Sequence, residues 1–189
     1  MKIATVTLKS MAPYSQSKKH SEPTKSKEGH EAYSRRTWPA HMHVTDDGYV
    51  FIPPVAFNQA IQKAASYLRL RIPGKGNSEY QKHFMGGVTC EQDGMILGIK
   101  AKDVEPECIY ANLDGKRGGS KRGYRWYPTI PEWTGTCTFY IFDDVITEDV
   151  FEQVLIEAGR LIGVGRFRAE RGGLYGRWEV VSIEWEEVA

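Results

Sequence analysis

Two amphipathic segments set among strand-like stretches constrain the fold of this chain more than any other feature. After the proline pair at 53–54, which suits the first turn of a helix, apolar residues recur at helical spacing over residues 57–68. A second helical pattern covers residues 151–162, with Thr147 placed as its N-cap and Gly163 after its end. Both segments predict helices that bury one face.

Segments with strand-like composition lie before, between and after these two predicted helices. They are residues 2–8, 38–44, 49–52, 88–90, 95–99, 108–113, 124–130, 135–142 and 177–185. Two helices among several strands predict an α+β fold, in which the helices cover one face of one antiparallel sheet. A βαββαβ ferredoxin-like or RRM-like core with long inserted loops or hairpins accounts for this order.

The insertions account for the rest of the chain. A length of 189 residues predicts a single domain, over 1–189. Residues 12–36 are polar and predict a long basic arm after the first strand. Residues 71–87, which hold four glycines and a proline, and residues 114–124 predict inserted loops or hairpins.

Charge is segregated along the chain, although its total is nearly balanced. With 25 basic and 24 acidic side chains, the whole-protein charge identifies no partner. Three stretches each carry a net charge of +4, namely residues 9–36, 110–127 and 160–177. They are rich in Gly or Ser with aromatic residues interleaved, a pattern that suits a phosphate backbone with unstacked bases. Acidic residues gather at 143–152 and in the tail, so we also expect self-association into a homo-oligomer or filament.

Several classes of protein are not expected from this sequence. Three cysteines, Cys90, Cys108 and Cys137, fit neither a disulfide framework nor a zinc motif, so we expect them reduced and buried. No apolar run approaches 18 residues, so no membrane span is predicted. The first residues turn polar after eight positions and predict no secretory signal, which favours a cytoplasmic protein. No cofactor or metal is predicted.

The segment 163–177 (GVGRFRAERGGLYGR) is the strongest local signal for a binding site. Its glycines allow close backbone approach, its backbone N–H groups can receive a phosphate, and its arginines can clamp one. It follows a helix and lacks GxxxxGK[ST], so it is neither a nucleoside-triphosphate loop nor a dinucleotide fingerprint.

This loop resembles the glycine-rich loop of the RAMP superfamily, the RNA-binding backbone and processing subunits of CRISPR effector complexes. Residues 49–60 (YVFIPPVAFNQA) are similar to the family's strand that ends in Ile-Pro and enters a helix facing the RNA. Residues 11–18 (MAPYSQSK) are similar to the polar segment by which backbone subunits meet their guide. The resemblance implies an RRM-like core, a thumb-like hairpin and copies stacked along one strand. The chain departs from the family in being shorter than most backbone subunits and in having Asn58-Gln59-Ala60 where a Gly-Ala-Leu-Arg type ending is common, which points to a stand-alone relative such as a phage-encoded single-strand binder.

We therefore predict a non-enzymatic protein that binds single-stranded RNA or DNA, with contacts to the backbone that are salt-sensitive and largely independent of sequence. Phosphates are expected on the arm, on the 116–125 loop and on the glycine-arginine loop, and bases on Tyr124 or Trp126. The predicted binding residues are Ser15, Ser17, Lys18, Lys19, Lys116, Arg117, Lys121, Arg122, Tyr124, Arg125, Trp126, Gly165, Arg166, Arg168, Arg171 and Arg177.

Two alternatives stay open at this point. The first is a metal-independent endoribonuclease that uses His20, His41 or His83, as histidine does in the processing branch of the superfamily. The second is an inhibitor or mimic that binds CRISPR effector subunits through its basic loops. His41 and His43 are spaced to share one side of a strand, but no third metal ligand is evident from spacing.

Overall fold

The computed structural model describes residues 1–113 and 121–188, which form an α+β structure. Its helices are α1 (His30–Thr37), α2 (Pro54–Leu68), α3 (Gln81–Gly87) and α4 (Glu148–Glu157). Its strands are β1 (Lys2–Ser10), β2 (Tyr14–Ser15), β3 (Tyr49–Ile52), β4 (Val88–Cys90), β5 (Met95–Lys100), β6 (Glu105–Asn112), β7 (Arg122–Ile130), β8 (Thr134–Ile141) and β9 (Trp178–Glu187). All pairings between these strands are antiparallel.

The central sheet has four strands in the order β4-β8-β1-β9. Helices α2 and α4 cover one face of it, where Phe57 of α2 and Phe151 of α4 both pack edge-on against Phe139 of β8. Side chains of a strand alternate between faces, so Ala4, Val6 and Leu8 of β1 are fully buried under the helices. The residues between them point away from the helices and are only partly buried.

The two predicted helices are confirmed, together with the signals that begin and end them. Pro53 precedes α2, and Pro54 occupies its first turn. The Thr147 hydroxyl oxygen accepts a hydrogen bond from the Val150 N–H and caps α4. After α4, a single π-helical turn (Ala158–Ile162) ends at Gly163, which has a φ of 74°.

The expectation of one sheet is wrong, because the described residues form three. Strands β2, β7 and β6 make a second sheet, in that order, and β3 pairs with β5 in a third. Strands β6 and β7 pair along their whole length, and their contacts with the rest of the chain include the pairing with β2, a hydrogen bond to α1 and a hydrogen bond from the Tyr175 hydroxyl to the Glu107 carboxylate. Their long ribbon is therefore separate from the central sheet.

Two further helices lie in segments that were expected to be irregular, and one expected strand is absent. The arm contains α1, whose Ser34 hydroxyl oxygen accepts a hydrogen bond from the Trp126 N–H of β7 at 2.9 Å. The 71–87 insertion ends in α3. A 3-10 turn (Trp38–His41) stands where a strand was expected, since Pro39 has no N–H to pair in a sheet.

Cys90 and Cys137 are free and buried as expected, but Cys108 is exposed on β6. It lies on a face of the β6–β7 ribbon that no core layer covers, which the spacing of the cysteines does not reveal.

Within the described residues, no helix is both long enough and apolar enough to cross a membrane.

Candidate nucleic-acid interface

The glycine-arginine loop is fixed to the start of the arm by backbone hydrogen bonds. The Arg166 N–H donates to the Ser15 carbonyl oxygen at 2.8 Å, and the Gly176 N–H donates to the Pro13 carbonyl oxygen at 2.8 Å. Gly165 has a φ of +76°, and a Cβ atom on it would lie 2.5 Å from the Ser15 carbonyl oxygen. This close approach brings together two basic segments that are about 150 residues apart in the chain.

The arm is held on its other side by a buried glutamine. The Gln16 Nε2 atom donates to the Phe51 carbonyl oxygen at 2.7 Å, and its Oε1 atom accepts from the His43 N–H at 2.6 Å. Next to it, the Lys18 N–H donates to the His41 carbonyl oxygen at 3.0 Å. Residues 14–18 are thus fixed between the loop, β3 and the 3-10 turn.

Two adjoining pockets lie along this segment, with cavity volumes of about 340 Å³ and about 520 Å³. They share Ser17 and Lys18, and together we call them the basic groove. The first pocket, the loop end, also includes the first turn of α2, and the second, the arm end, includes α1 and β7. The basic and histidine side chains that line the groove are Lys18, Lys19, Lys63, Arg125, Arg166, Arg168, His20, His30, His41 and His43. Among its described lining residues there is no Asp or Glu.

Behind the loop end, one carboxylate pairs with two of these cations. The Glu170 oxygens lie 2.6 Å from the Lys63 Nζ atom and 3.0 Å from the Arg168 Nε atom. Burial alone raises the pKa of Glu170, but the hydrogen bonds from the two cations outweigh it, so this pKa lies below its ordinary value. Glu170 therefore carries its charge at neutral pH and compensates part of the charge of the loop end.

Arg166 forms the wall between the two ends of the groove. Its guanidinium carbon lies 3.2 Å from the Tyr127 ring centroid and 3.8 Å from the Phe167 ring centroid. Burial lowers the pKa of Arg166 to about 10, so the side chain is still cationic at neutral pH. The Arg125 guanidinium also lies over the Tyr127 ring, at 5.2 Å. Tyr127 is consequently buried under arginines and offers no free ring face to a base.

The arm end contains a cluster of aromatic rings. The His20 and His41 ring centroids are 4.5 Å apart, and His41 lies 5.3 Å from Tyr127. The His20 ring is also stacked on Tyr33 at 6.2 Å. Burial lowers the pKa of His41, and the nearby positive charges of His20, Arg125 and Arg166 lower it further, while a hydrogen bond to the Lys18 carbonyl acts in the opposite direction.

The structure brings together about half of the residues predicted for binding. Those that line the groove are Ser17, Lys18, Lys19, Arg125, Gly165, Arg166 and Arg168. Ser15 is fully buried, and its contribution is the carbonyl that holds Arg166. Arg177 lies outside the groove, where its Nε atom donates to the Arg160 carbonyl, and Arg171 is exposed beside Glu170. Lys116 and Arg117 lie outside the described residues.

The predicted stacking residues occupy the other face of the β6–β7 ribbon. Side chains alternate along a strand, so Tyr124 and Trp126 point away from the groove that Arg125 and Tyr127 line. Tyr124 is half exposed and packs edge-on against Tyr110 at 5.3 Å. The predicted cations Lys121 and Arg122 are exposed at the start of the same strand.

Sequence reasoning missed Lys63, Tyr33 and the groove position of His43. Lys63 falls on the polar face of α2, four residues after Gln59, and both line the loop end. That i, i+4 spacing is the one signal that pointed to it.

His83, a candidate in the nuclease alternative, is bonded to Asp143 at 2.6 Å. Asp143 follows the end of β8, which pairs with Lys2 at the start of β1, whereas the groove lies beyond the other end of β1. His83 therefore lies outside the groove.

Comparison with known proteins adds no identification to this geometry. No protein-family model matches the sequence, and no curated protein matches it. Fold and site together define an α+β protein with an open groove lined by cations, histidines and no described carboxylate. Such a groove is suited to a ligand with several negative charges along its length.

Proposed function

We propose that this chain is a non-enzymatic protein that binds single-stranded RNA or DNA, with the phosphates in the basic groove. The observation that carries this proposal is the lining of the groove, which collects lysines, arginines and histidines from distant parts of the chain. Cations brought together from separate segments, with no described carboxylate lining the same surface, favour a polyanion over a small neutral ligand.

The shape of the groove and its aromatic residues favour a single strand. Side-chain rings of His20, His41 and Tyr33 lie beside the cations of the arm end, where unstacked bases can be accommodated. On the other face of the ribbon, Tyr110 and Tyr124 offer exposed rings to bases that leave the groove. Contacts of this kind are made to phosphates and ring faces, so the binding depends on salt and little on sequence.

The proposal extends to the fold and to a relationship with the RAMP superfamily. In chain order β1, α2, β4, β8, α4 and β9 follow a βαββαβ pattern, and the sheet order β4-β8-β1-β9 supports a ferredoxin-like core. The remaining elements are then insertions. Residues from the three segments that resemble the family, 11–18, 49–60 and the glycine-arginine loop, line the loop end of the groove. Their convergence supports the relationship.

Lys18 and Lys19 provide the first test, because both are exposed and neither makes an ion pair that the described structure contains. We expect the Lys18→Ala/Lys19→Ala variant to bind labelled single strands roughly tenfold more weakly at low salt. We also expect the slope of log affinity against log salt to fall by about 0.7 for each phosphate that the variant no longer neutralises. Fluorescence anisotropy with RNA, DNA and duplex probes of equal length measures both quantities.

The matched control is Lys82→Ala/Lys102→Ala, which removes two exposed lysines that do not line the groove. It should keep the affinity and the salt slope of the unmodified protein. Equal losses in the two variants would mean that the charge of the whole surface, and not the groove, determines binding. Arg166 is a poorer probe, because its removal also exposes the buried Tyr127 ring.

A metal-independent endoribonuclease is the second candidate, and the His20–His41 pair favours it. The two rings are adjacent in the groove, and the lowered pKa of His41 keeps this side chain neutral and able to accept a proton at pH 7. Incubation of labelled RNA with excess protein in chelator tests this activity. Discrete cleavage that His41→Ala abolishes and His83→Ala retains would replace the non-enzymatic proposal.

A further inference from the structure

The loop end of the basic groove has two walls that an ion pair joins. One wall is the glycine-arginine loop, which lies against residues 14–18, and the other is the N-terminal half of α2. The Glu170 carboxylate of the loop lies 2.6 Å from the Lys63 Nζ atom of α2 and 3.0 Å from the Arg168 Nε atom. None of these three residues lines the arm end, so the bridge that they form stands on the far side of the loop end.

The space between the two walls is large enough for one nucleotide. Ala56 and Ala60 of α2 have short side chains, and together with Ile162 and Val164 they give the pocket of about 340 Å³ its apolar surfaces. This volume is near the lower end of the range for small-ligand sites, about 300–1,000 Å³. A sugar or a base can pack against these surfaces, whereas a longer stretch of strand needs the arm end as well.

The charge at the loop end exceeds what a single phosphodiester neutralises. Four cations line it, and Glu170 compensates one of them, which leaves a net charge of +3; the cations are Lys18, Lys63, Arg166 and Arg168. A phosphodiester within a strand carries one negative charge, whereas a phosphomonoester carries about 1.5 to 2 at pH 7 and offers three acceptor oxygens. Lysine and arginine donate their strongest hydrogen bonds to such oxygens. A terminal phosphate therefore matches this cluster better than an internal phosphate does.

We propose that the loop end binds the terminal phosphomonoester of a single strand, with the terminal nucleotide in the pocket and the nucleotides next to it in the arm end. This assignment rests on the proposed function and adds to it the part of the strand that the loop end takes. A strand that continued through the loop end would have to pass the bridge between Lys63, Glu170 and Arg168, where a carboxylate repels its phosphates. A strand that ends there needs no exit.

The same chemistry is available at either end of a strand, because a 5′-phosphate and a 3′-phosphate are both phosphomonoesters. Only one of them can enter the pocket with the rest of the strand in the arm end and the sugar in a productive orientation. The end that is preferred therefore sets the direction in which a strand lies in the groove. We expect the preferred phosphorylated strand to bind roughly tenfold more tightly than the same strand with hydroxyl groups at both ends.

Three oligonucleotides of one sequence, each of about eight nucleotides and with a fluorophore on a central base, test the proposal. They carry a 5′-phosphate, a 3′-phosphate or hydroxyl groups at both ends, and anisotropy titrations measure their affinities. The test variant is Lys63→Met, which keeps most of the side-chain length and removes the cation that closes the bridge. It should lose most of the preference for the phosphorylated strand and should bind the hydroxyl strand within about twofold of the unmodified protein.

Lys82→Met is the matched control, because Lys82 is exposed and lies outside the groove, and it should keep the full preference. Equal affinities for the three strands would overturn the proposal and leave the proposed function intact, whereas no binding of any strand would overturn both. A preference that persists unchanged in folded Lys63→Met protein would also overturn the proposal. It would mean that the additional charge of the terminal phosphate acts from outside the pocket.

Discussion

The two ends of the basic groove are built in different ways. At the loop end, backbone hydrogen bonds fix the glycine-arginine loop to the arm, and Glu170 already pairs with Lys63 and Arg168. At the arm end, Lys19 is exposed, and the His20 ring packs edge-on against the His41 ring. The loop end is therefore preorganised and partly neutralised, whereas the arm end has cations free to adjust to a ligand. We infer that the first end determines where a strand lies and the second adds electrostatic attraction.

The largest effect is expected at Gly165 of the loop end, where only a residue without a Cβ atom lets the loop pack against the arm. Gly165→Ala places a Cβ 2.5 Å from the Ser15 carbonyl at a φ of +76°, so the loop and the arm must separate. We expect a loss of about 2–4 kcal/mol in the free energy of unfolding, measured by urea denaturation. Gly74→Ala is the matched control, because Gly74 has the same φ of +76° with nothing within 4 Å of its Cβ position.

In the control, the free energy of unfolding should fall only by what left-handed backbone costs an alanine, about 1 kcal/mol. Equal losses in the two variants would show that backbone strain alone matters and that the contact with the arm is not tight. A larger loss in Gly165→Ala, with weaker nucleic-acid binding by the folded fraction, would support a loop end built by close backbone packing.

A smaller effect is expected from the carboxylate that distinguishes the loop end from the arm end. Glu170→Gln removes the charge that compensates Lys63 and Arg168, and both cations become available to phosphates. We expect roughly threefold to tenfold tighter binding at low salt and a salt slope steeper by about 0.7 for each additional phosphate that is neutralised. Anisotropy titrations at several salt concentrations measure both.

Glu157→Gln serves as the control, since Glu157 pairs with Arg160 outside the groove. It should leave binding unchanged. Weaker binding by a folded Glu170→Gln protein would contradict the prediction. It would mean that the carboxylate positions the two cations for phosphate and does not compete with it.

The parts of the molecule that could be predicted from sequence are those that local signals determine. Helices α2 and α4 were predicted with their caps, because a proline pair, Thr147 and Gly163 are local signals that act within one turn. Helix α1 has no apolar stripe, since Ser34 and Thr37 are its buried residues. It is held by contacts with β7, so its sequence resembles that of a loop.

The convergence that creates the groove could not be predicted either, because it depends on contacts between distant parts of the chain. The glycines and arginines of the loop were recognised, but the bond from the Arg166 N–H to the Ser15 carbonyl joins segments far apart in sequence. Strand alternation separates Trp126 from Tyr127, and the sequence does not say which of them faces the cations. The placement of the ribbon relative to the arm decides it, and this gives Tyr127 to the groove.

The smallest effect is the pH dependence of binding, and it sharpens the comparison because each end contains one histidine with a lowered pKa. Burial lowers the pKa of His41 at the arm end and of His43 at the loop end. In the free protein, the folded state therefore favours neutral histidine. Its stability contribution is complete above the unfolded pKa of about 6.5 and is lost as the pH falls through the lower folded values.

Bound phosphates reverse this preference, because a negative charge stabilises the protonated rings. Affinity for a single strand should rise roughly threefold from pH 7.5 to pH 6, while the stability of the free protein falls. The pKa of His41 is lowered by three positive neighbours and that of His43 by Lys18, so a phosphate relieves more repulsion at His41. His41→Gln should thus remove more of the pH dependence than His43→Gln, and His83→Gln should remove none. A pH-independent affinity in the unmodified protein would mean that the phosphates do not reach these rings.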